Sequence, residues 1–244
     1  MDRQLLKHAN SLTRKTMPNK PIVISVGGSI VIPESGIDVE YLKKLRALIL
    51  KEIKSGRRFI IVVGGGSVCR KYQKAASAIV DLEAEDLDWL GIHTTRLNAH
   101  LLRTIFRDVA HPAVIKDPTA KLDWKESLLV AAGWKPGCST DFDAVMLAQK
   151  FGAKKIINLT NVDAVYDSDP RKNPQAESYD RINWADFRKI VGSKWSPGAN
   201  APFDPIASKL AQEQGMEVVI ARGTDLENLK AIIAQKPFKG TLIK

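Results

Sequence analysis

The segment FIIVVGGGSVCRK, residues 59–71, decides the fold of this 244-residue chain. Its first five residues, Phe59–Val63, are apolar and rich in β-branched side chains, which predicts a strand buried on both faces. A triple glycine, Gly64–Gly66, follows the strand, and a helical pattern begins directly afterwards at Val68. A buried strand, a glycine turn and a helix in this order are typical of a parallel sheet covered by helices.

The same pattern recurs along the chain. Three further segments predict buried strands: Ile22–Val26, Lys155–Leu159 and Glu217–Ala221. Apolar residues with helical spacing lie between the first two strands, with Asp38 as the predicted N-cap and Gly56 beyond the end. Further helices are predicted over Val68–Val80, Asp86–Asp108, Asp141–Phe151, Trp184–Val191, Asp204–Gln214 and Asp225–Ala234. The predicted fold is therefore α/β, a three-layer α/β/α sandwich around a mostly parallel central sheet.

Composition excludes several classes of protein. Hydrophobic residues make up 44% of the chain and charged residues 26%, which is ordinary for a globular protein. Two cysteines, Cys69 and Cys138, cannot form a disulfide framework or a four-cysteine zinc site. No apolar run reaches the length of a membrane helix, and residues 1–20 lack the apolar block of a secretory signal. We therefore expect a cytoplasmic protein with no membrane association.

The formal net charge of +10 suggests a nucleic-acid partner at first sight. Much of this charge, however, lies in two terminal segments, residues 1–20 and 235–244. The sequence also carries no recognisable nucleic-acid motif, and its five tryptophans are scattered. A nucleic-acid partner therefore ranks last. Residues 1–20 are expected to form a basic extension outside a single domain that covers residues 21–244.

Three glycine-bearing turns follow predicted strands or precede predicted helices: Gly27-Gly28-Ser29, Gly64–Ser67 and Gly133–Asp141. Because glycine has no side chain, its backbone N–H can approach a phosphate closely, and a helix N-terminus favours an anion. Each turn alone could be no more than a corner between a strand and a helix. Three such turns with hydroxyl and basic neighbours favour an anionic ligand at the carboxyl edge of the sheet.

The common nucleotide-binding motifs are missing. There is no G-x-x-x-x-G-K-[ST] sequence, so the chain is not a P-loop enzyme. The sequence Gly64-x-Gly66-x-x-Cys69 places a cysteine where the dinucleotide-binding fingerprint needs a glycine. A phosphate site of a different design remains open.

Several polar residues lie where such a site would need them, and each also has a simpler explanation. Arg70 could grip a phosphate or lie on a solvated helix face. Asp88 and Asp141 could bind ligand or serve as acidic residues at helix starts. Lys209 could neutralise charge or simply face solvent. His93 and His100 lie seven residues apart on one predicted helix, a spacing that does not by itself indicate a metal site.

Six segments in one order carry a resemblance to a known family. The chain resembles the amino-acid-kinase superfamily, and most closely its uridylate (UMP) kinases of archaeal type, from about residue 21 to the end. The matching segments are VGGSIVIPE (26–34), VVGGGSVCRKY (62–72), DWLGIHTTRLNA (88–99), PGCSTD (136–141), TNVDAVYDSDP (160–170) and FDPIASKL (203–210).

The resemblance implies transfer of the ATP γ-phosphoryl group to UMP, with Mg²⁺ held mainly by the nucleotide phosphates rather than by a protein metal site. It assigns UMP to the part of the chain around residues 21–150 and ATP to residues 151–244. It implies catalytic roles for Lys209 and Asp141. The implied UMP-binding residues are Gly65, Gly66, Arg70, Asp88, Ser139 and Thr140. The implied ATP-binding residues are Gly28, Ser29, Thr160, Asn161, Asp163, Tyr166 and Asp169. A homo-oligomer, typically a hexamer, is also implied.

One position departs from the pattern. Many members of the superfamily carry a lysine two residues before the first Gly-Gly pair, and this chain has Ser25 there. Lys209 or another basic residue would then have to stabilise the transferred phosphoryl group. Two alternatives stay open: a nucleotide-binding storage or regulatory protein on the same fold, and a related kinase with another small phosphate or carboxylate acceptor.

Overall fold

The computed structural model describes residues 20–170, 172–194 and 201–244. The predicted basic extension, residues 1–20, lies outside this part of the chain except for Lys20. The other described residues form one large sheet, one small sheet and the helices that cover the large one.

The large sheet has seven strands in the order β3-β2-β1-β4-β8-β9-β7. Its first five strands are parallel to one another, whereas β9 runs antiparallel to β8. Two short strands, β5 and β6, pair separately as an antiparallel hairpin. The strand bounds are β1 Ile22–Val26, β2 Phe59–Val63, β3 Leu128–Ala131, β4 Lys155–Thr160, β5 Val165–Tyr166, β6 Ser178–Tyr179, β7 Arg181–Ile182, β8 Glu217–Arg222 and β9 Thr241–Ile243.

Eight helices are described: α1 Gly28–Val31, α2 Val39–Lys54, α3 Gly66–Ser77, α4 Ala84–Ile105, α5 Thr140–Lys150, α6 Trp184–Val191, α7 Pro205–Glu213 and α8 Leu226–Ile233. Buried residues of α2, α4 and α8 pack on one face of the large sheet. Buried residues of α5, α6 and α7 pack on the other face. Alternate residues of the central strands enter the two cores, so Ile61 faces one and Ile60 the other. The predicted three-layer α/β/α sandwich is confirmed.

Local sequence explains where helix α2 begins and ends. The Asp38 side chain accepts a hydrogen bond from the Tyr41 N–H at 2.9 Å and caps α2, as its position predicted. Gly56 follows the same helix with a φ of +87°, a conformation that glycine adopts without strain.

Among the described residues, no helix is long and apolar enough to cross a membrane.

The sequence did not predict three strands of the large sheet, β3, β7 and β9. Strand β3 pairs with β2 along Leu128–Ala131, and its sequence, LLVA, lacks the β-branched richness of the predicted strands. Strand β9 has only three residues and lies between β8 and β7. Strand β7 has two residues and pairs with β9. All three depend on pairing with distant strands rather than on strong local preference.

Candidate functional site

The carboxyl ends of three neighbouring strands, β2, β1 and β4, form one continuous edge. The Gly64 N–H at the end of β2 donates to the Val26 carbonyl of β1 at 2.9 Å. The Gly27 N–H donates in turn to the Leu159 carbonyl of β4 at 2.8 Å. Open parallel sheets bind ligands at this edge, outside the strand ends. The first two glycine turns therefore lie side by side where a ligand is expected.

The two turns are in direct contact at Gly28. A methyl group at Gly28 would lie 2.5 Å from the Gly64 carbonyl oxygen and would also overlap the Gly66 nitrogen. The backbones can approach this closely only because a side chain is missing. Gly66, a predicted UMP-binding residue, thus stands against Gly28, a predicted ATP-binding residue.

Arg70 reaches across this contact. Its guanidinium Nη1 lies 3.4 Å from the Ser29 hydroxyl, and its Nη2 donates to the Glu34 carboxylate at 2.9 Å. The Arg70 hydrogen bond holds the pKa of Glu34 below its usual range. Arg70 is exposed, as a solvated helix face predicts, but it is also paired with residues of the first turn and of the segment that follows it. Glu34 was not predicted as its partner, although it stands in one of the quoted segments.

Asp88 contacts the third glycine turn. Its carboxylate Oδ2 accepts a hydrogen bond from the Gly137 N–H at 2.7 Å. The expectation that Asp88 heads its helix is wrong, because α4 begins at Ala84 and Glu83 is its N-cap. Asp88 lies one turn inside α4, so a capping role does not explain it. The helix brings this carboxylate to Gly137, two residues before Ser139.

Ser139 and Thr140 stand at the start of α5. The Ser139 hydroxyl accepts a hydrogen bond from the Phe142 N–H at 3.1 Å and caps the helix. Thr140 is the first helical residue, and both side chains are half-buried. Their helix also carries two acidic residues in its first turn, Asp141 and Asp143.

Asp141 joins β1 to the segment that precedes α7. Its Oδ1 accepts from the Ser25 hydroxyl at 2.9 Å, and its Oδ2 accepts from the Asp204 N–H at 3.2 Å. Burial raises the pKa of Asp141 to about 6, and the negative charge of Asp204 adds to the rise while the Ser25 hydrogen bond opposes it. Ser25 is thus the partner of a predicted catalytic carboxylate, a contact that the sequence reading did not foresee.

Asp204 also shapes this region. Its Oδ1 caps α7 by accepting from the Ala207 N–H at 2.6 Å, and burial raises the pKa of its carboxyl group. Lys209 lies on the same helix with an exposed side chain, and its Nζ is 3.9 Å from the Glu213 carboxylate. The helix that carries Lys209 therefore begins against Asp141, and Lys209 itself faces solvent.

The remaining predicted ATP-binding residues follow β4. Thr160 ends this strand, and its hydroxyl donates to the Asn161 side chain at 3.3 Å. The Asp163 carboxylate pairs with Arg222 at the end of β8, through Nε at 2.5 Å and Nη2 at 2.9 Å. The hydrogen bond from Arg222 holds the pKa of Asp163 below its usual range. Arg222 was not among the predicted residues, although its register beside Thr160 places it at the same edge.

Two predicted residues lie further along this segment. Tyr166 belongs to β5 and is half-buried. The Asp169 carbonyl accepts hydrogen bonds from the N–H groups of Lys172 and Asn173, both at 2.9 Å. Both residues follow β4 and its turn along the chain.

Two buried polar residues near the turns were also missed. The Asn98 amide Nδ2 donates to the carbonyls of Gly64 and Gly65, at 2.8 and 3.1 Å, and so fixes the second turn. Asp143 is 1% exposed and accepts from the Trp134 N–H at 3.2 Å. An amide or carboxylate within an apolar helical run is the sequence signal that could have identified both residues.

The donors at this edge suit a phosphorylated ligand. They comprise backbone N–H groups of the glycine turns, the Arg70 guanidinium and the hydroxyls of Ser29, Ser139 and Thr140. Within the described residues, no group of three or more His, Cys, Asp and Glu side chains could hold a metal ion.

Two other grooves occur on the described surface. One, of about 740 Å³, lies between α2 and α8, and its lining includes Tyr41 and Leu226. The second, of about 420 Å³, lies at the amino ends of the strands and is lined partly by Lys20 and Lys155. Neither lining includes any of the predicted site residues.

Several known proteins resemble this chain in sequence and fold. The model of the amino acid kinase family matches residues 20–222. A uridylate kinase of Methanospirillum hungatei is 36% identical over 225 residues, which cover 91% of this chain and 94% of that protein. One of Pyrococcus abyssi is 36% identical over 228 residues, 91% and 99% of the two chains. The crystal structure of the Archaeoglobus fulgidus uridylate kinase superposes with a TM-score of 0.74 at 31% identity and covers 92% of this chain and all of that one. The chain therefore belongs to the amino acid kinase family.

Proposed function

We propose that this protein is a UMP kinase, which transfers the γ-phosphoryl group of ATP to UMP and releases UDP and ADP. The contact of Arg70 with Ser29 beside the touching glycine turns carries the proposal, because it joins a phosphate-binding side chain to the edge where two phosphate groups would meet. The relatives that match almost the whole chain are named uridylate kinases. Their names support UMP as the acceptor.

On this proposal the UMP phosphate binds between the second turn and α3. The backbone of Gly65 and Gly66 and the guanidinium of Arg70 would hold its oxygens, since a guanidinium can donate two parallel hydrogen bonds to one phosphate. Glu34 now accepts one of these donors. An incoming phosphate would therefore replace a carboxylate as the partner of Arg70.

The rest of UMP would lie between α4 and the third turn. Asp88 would accept hydrogen bonds from the ribose hydroxyls, and its Oδ1 remains available because Oδ2 accepts from the Gly137 N–H. Ser139 and Thr140 would contact the nucleotide from the opposite wall. Their position at the start of α5 directs the N-terminus of this helix toward the anionic ligand.

ATP would bind at the carboxyl ends of β4 and β8. The residues that would line the ATP site are Thr160, Asn161, Asp163, Tyr166 and Asp169. Gly28 and Ser29 would lie along the ATP phosphates, beside the phosphoryl group that is transferred. Mg²⁺, when bound to the nucleotide phosphates, would neutralise part of their charge. We propose residues 21–150 as the acceptor lobe and residues 151–244 as the donor lobe.

The chemistry needs little covalent help from the protein. Phosphoryl transfer depends on in-line positioning of two substrates and on donors directed at the equatorial oxygens. Lys209 would supply a positive charge from α7. Asp141 would orient the groups around it, because Ser25 and the Asp204 N–H fix both of its oxygens. The absence of a lysine at position 25 leaves Lys209 as the proposed cation.

Release of ADP, measured in a coupled assay, tests the proposal with five acceptors: UMP, CMP, AMP, acetylglutamate and carbamate. We expect turnover with UMP well above that with the other four. Turnover with none of them, while ATP still binds, would refute the kinase and favour the storage or regulatory alternative. Turnover with a different acceptor would favour the related-kinase alternative.

Assembly and location belong to the same proposal. We propose a homo-oligomer, a hexamer by the family resemblance, that works in the cytoplasm without a nucleic-acid or membrane partner. Light scattering of the purified protein measures the mass of the assembly. A monomeric mass would contradict this part of the proposal and leave the proposed reaction untouched.

A further inference from the structure

Helix α4 and helix α5 hold the first residues of the third glycine turn through side chains alone. The Thr95 hydroxyl accepts from the Gly133 N–H at 2.8 Å. The Arg96 guanidinium donates to the Gly133 carbonyl at 3.3 Å and to the Trp134 carbonyl at 2.9 Å. Asp143, on α5, accepts from the Trp134 N–H at 3.2 Å. All four backbone polar groups of these two residues are therefore bound by side chains.

Gly133 has no room for a side chain. A methyl group there would lie 2.9 Å from the Thr95 hydroxyl and 3.4 Å from the Cα of Ile92. Gly133 is also buried. Because the peptide is held on all sides, the direction in which the chain leaves Trp134 is determined by these contacts.

The far part of the same turn is held by the same helix. Gly137 donates to Asp88, which stands seven residues before Thr95 on α4. Seven helical residues span about 10 Å, so the helix fixes two points of the turn at a set separation. The segment between these points leads directly to Ser139 and Thr140. Displacement of Gly133 would therefore move the residues proposed to contact UMP.

The two carboxyl oxygens of Asp143 lie in different environments. Its Oδ2 binds the Trp134 N–H, but its Oδ1 is buried and has no hydrogen-bond partner among residues 20–170, 172–194 and 201–244. An ionised carboxylate would cost more to bury in such a place than a neutral acid. An asparagine would supply the same acceptor oxygen.

We infer that Arg96 and Asp143 are positioning residues that set the acceptor affinity of the site by fixing the Gly133–Trp134 peptide. Neither has been placed in contact with a substrate. Their effect reaches the ligand through Gly137, Ser139 and Thr140. This inference rests on the proposed function, since it assigns the third turn to the UMP side of the site.

Titrations of the full chain with UMP and, separately, with ATP test the inference, together with the KM for each nucleotide. We expect Arg96→Met and Asp143→Ala to weaken UMP binding about tenfold and to change ATP binding less than twofold. Asp143→Asn should bind UMP as the wild type does, because the amide oxygen can accept from Trp134. Gly133→Ala should reproduce the loss of UMP affinity with every polar side chain retained.

A matched control is Arg46→Met. Arg46 also donates to a backbone carbonyl, that of Ile105 at 2.7 Å, but it lies on α2 away from the turn. This variant should bind both nucleotides normally. If Arg96→Met fails to fold, Arg96→Lys replaces it, since one ammonium group cannot reproduce the fixed fork of a guanidinium.

The inference is overturned if Arg96→Met, or Arg96→Lys in its place, binds UMP as tightly as the wild type. Equal weakening of UMP and ATP binding would also overturn it, because this result indicates general loss of structure. Failure of the proposed function has a different signature. In that case the wild type itself does not bind UMP, and the inference falls with it.

Discussion

Replacement of Asp143 by asparagine should remove a pH dependence from the stability of the protein. Burial is the main reason that the pKa of Asp143 rises to about 8, and the charge of Asp141 adds to it, while the Trp134 N–H and Arg96 oppose it. The native state therefore keeps a proton that the unfolded chain loses above about pH 4. Between these two pKa values the unfolded state binds fewer protons, so the free energy of unfolding falls as the pH rises. Asparagine does not titrate and avoids this loss.

The size of the effect follows from the linkage slope. One group contributes about 1.4 kcal/mol per pH unit, so the wild type should lose about 3 kcal/mol relative to Asp143→Asn between pH 5 and pH 7. For a chain of this length that corresponds to roughly 5–10 °C in Tm. Thermal unfolding of both proteins at pH 5, 6 and 7 measures the difference.

The control for this experiment is Asp123→Asn. Because the side chain of Asp123 is 80% exposed, the Tm of Asp123→Asn should change with pH as the Tm of the wild type does. A gap between wild type and Asp143→Asn that stays constant from pH 5 to pH 7 would refute the reasoning. It would mean that Asp143 is ionised in the native state across this range.

Three further predictions concern the proposed reaction. Burial raises the pKa of Asp141 to about 6, so kcat should fall as the pH drops below 6. Because Ser25→Ala removes a hydrogen-bond donor to this carboxylate, it should shift the acidic limb of the kcat–pH profile up by about one pH unit. An unchanged pH profile in Ser25→Ala would contradict this prediction. Arg70→Ala should raise the KM for UMP about tenfold and leave the KM for ATP nearly unchanged, and equal increases would exclude its assignment to the acceptor. Lys209→Ala should lower kcat about a hundredfold with little change in either KM, whereas unchanged kinetics would show that another group is the cation.

Much of the fold could be predicted because its central strands are locally distinct. Segments such as Phe59–Val63 and Glu217–Ala221 are apolar and β-branched, and the parallel arrangement buries them on both faces. Strand β3 escaped prediction because leucine and alanine suit a helix as well as a strand. Its pairing with β2 is a property of the whole sheet, which a local pattern does not contain.

The sequence predicted where the site lies but not which residues contact one another there. Glycine turns after strands indicate where a ligand binds, and the resemblance to a family supplied the roles of the residues. Partners that come from distant segments have no local signal. Glu34 meets Arg70 across 36 residues, Arg222 meets Asp163 across 59, and Ser25 meets Asp141 across 116. Only the folded sheet brings these pairs together.

The position of β9 has a consequence for the biosynthesis of the protein. This strand lies between β8 and β7, and the buried Thr241 hydroxyl accepts from the Val165 N–H at 2.8 Å and donates to the Tyr179 carbonyl at 2.5 Å. Because β9 follows every other described element along the chain, this edge of the sheet cannot close while residues 241–243 are still inside the ribosome. The part of the sheet formed by β1, β2 and β3 can pair earlier. During translation the nascent chain should therefore expose one unfinished edge, near the proposed ATP side, until residues 241–243 have left the ribosome.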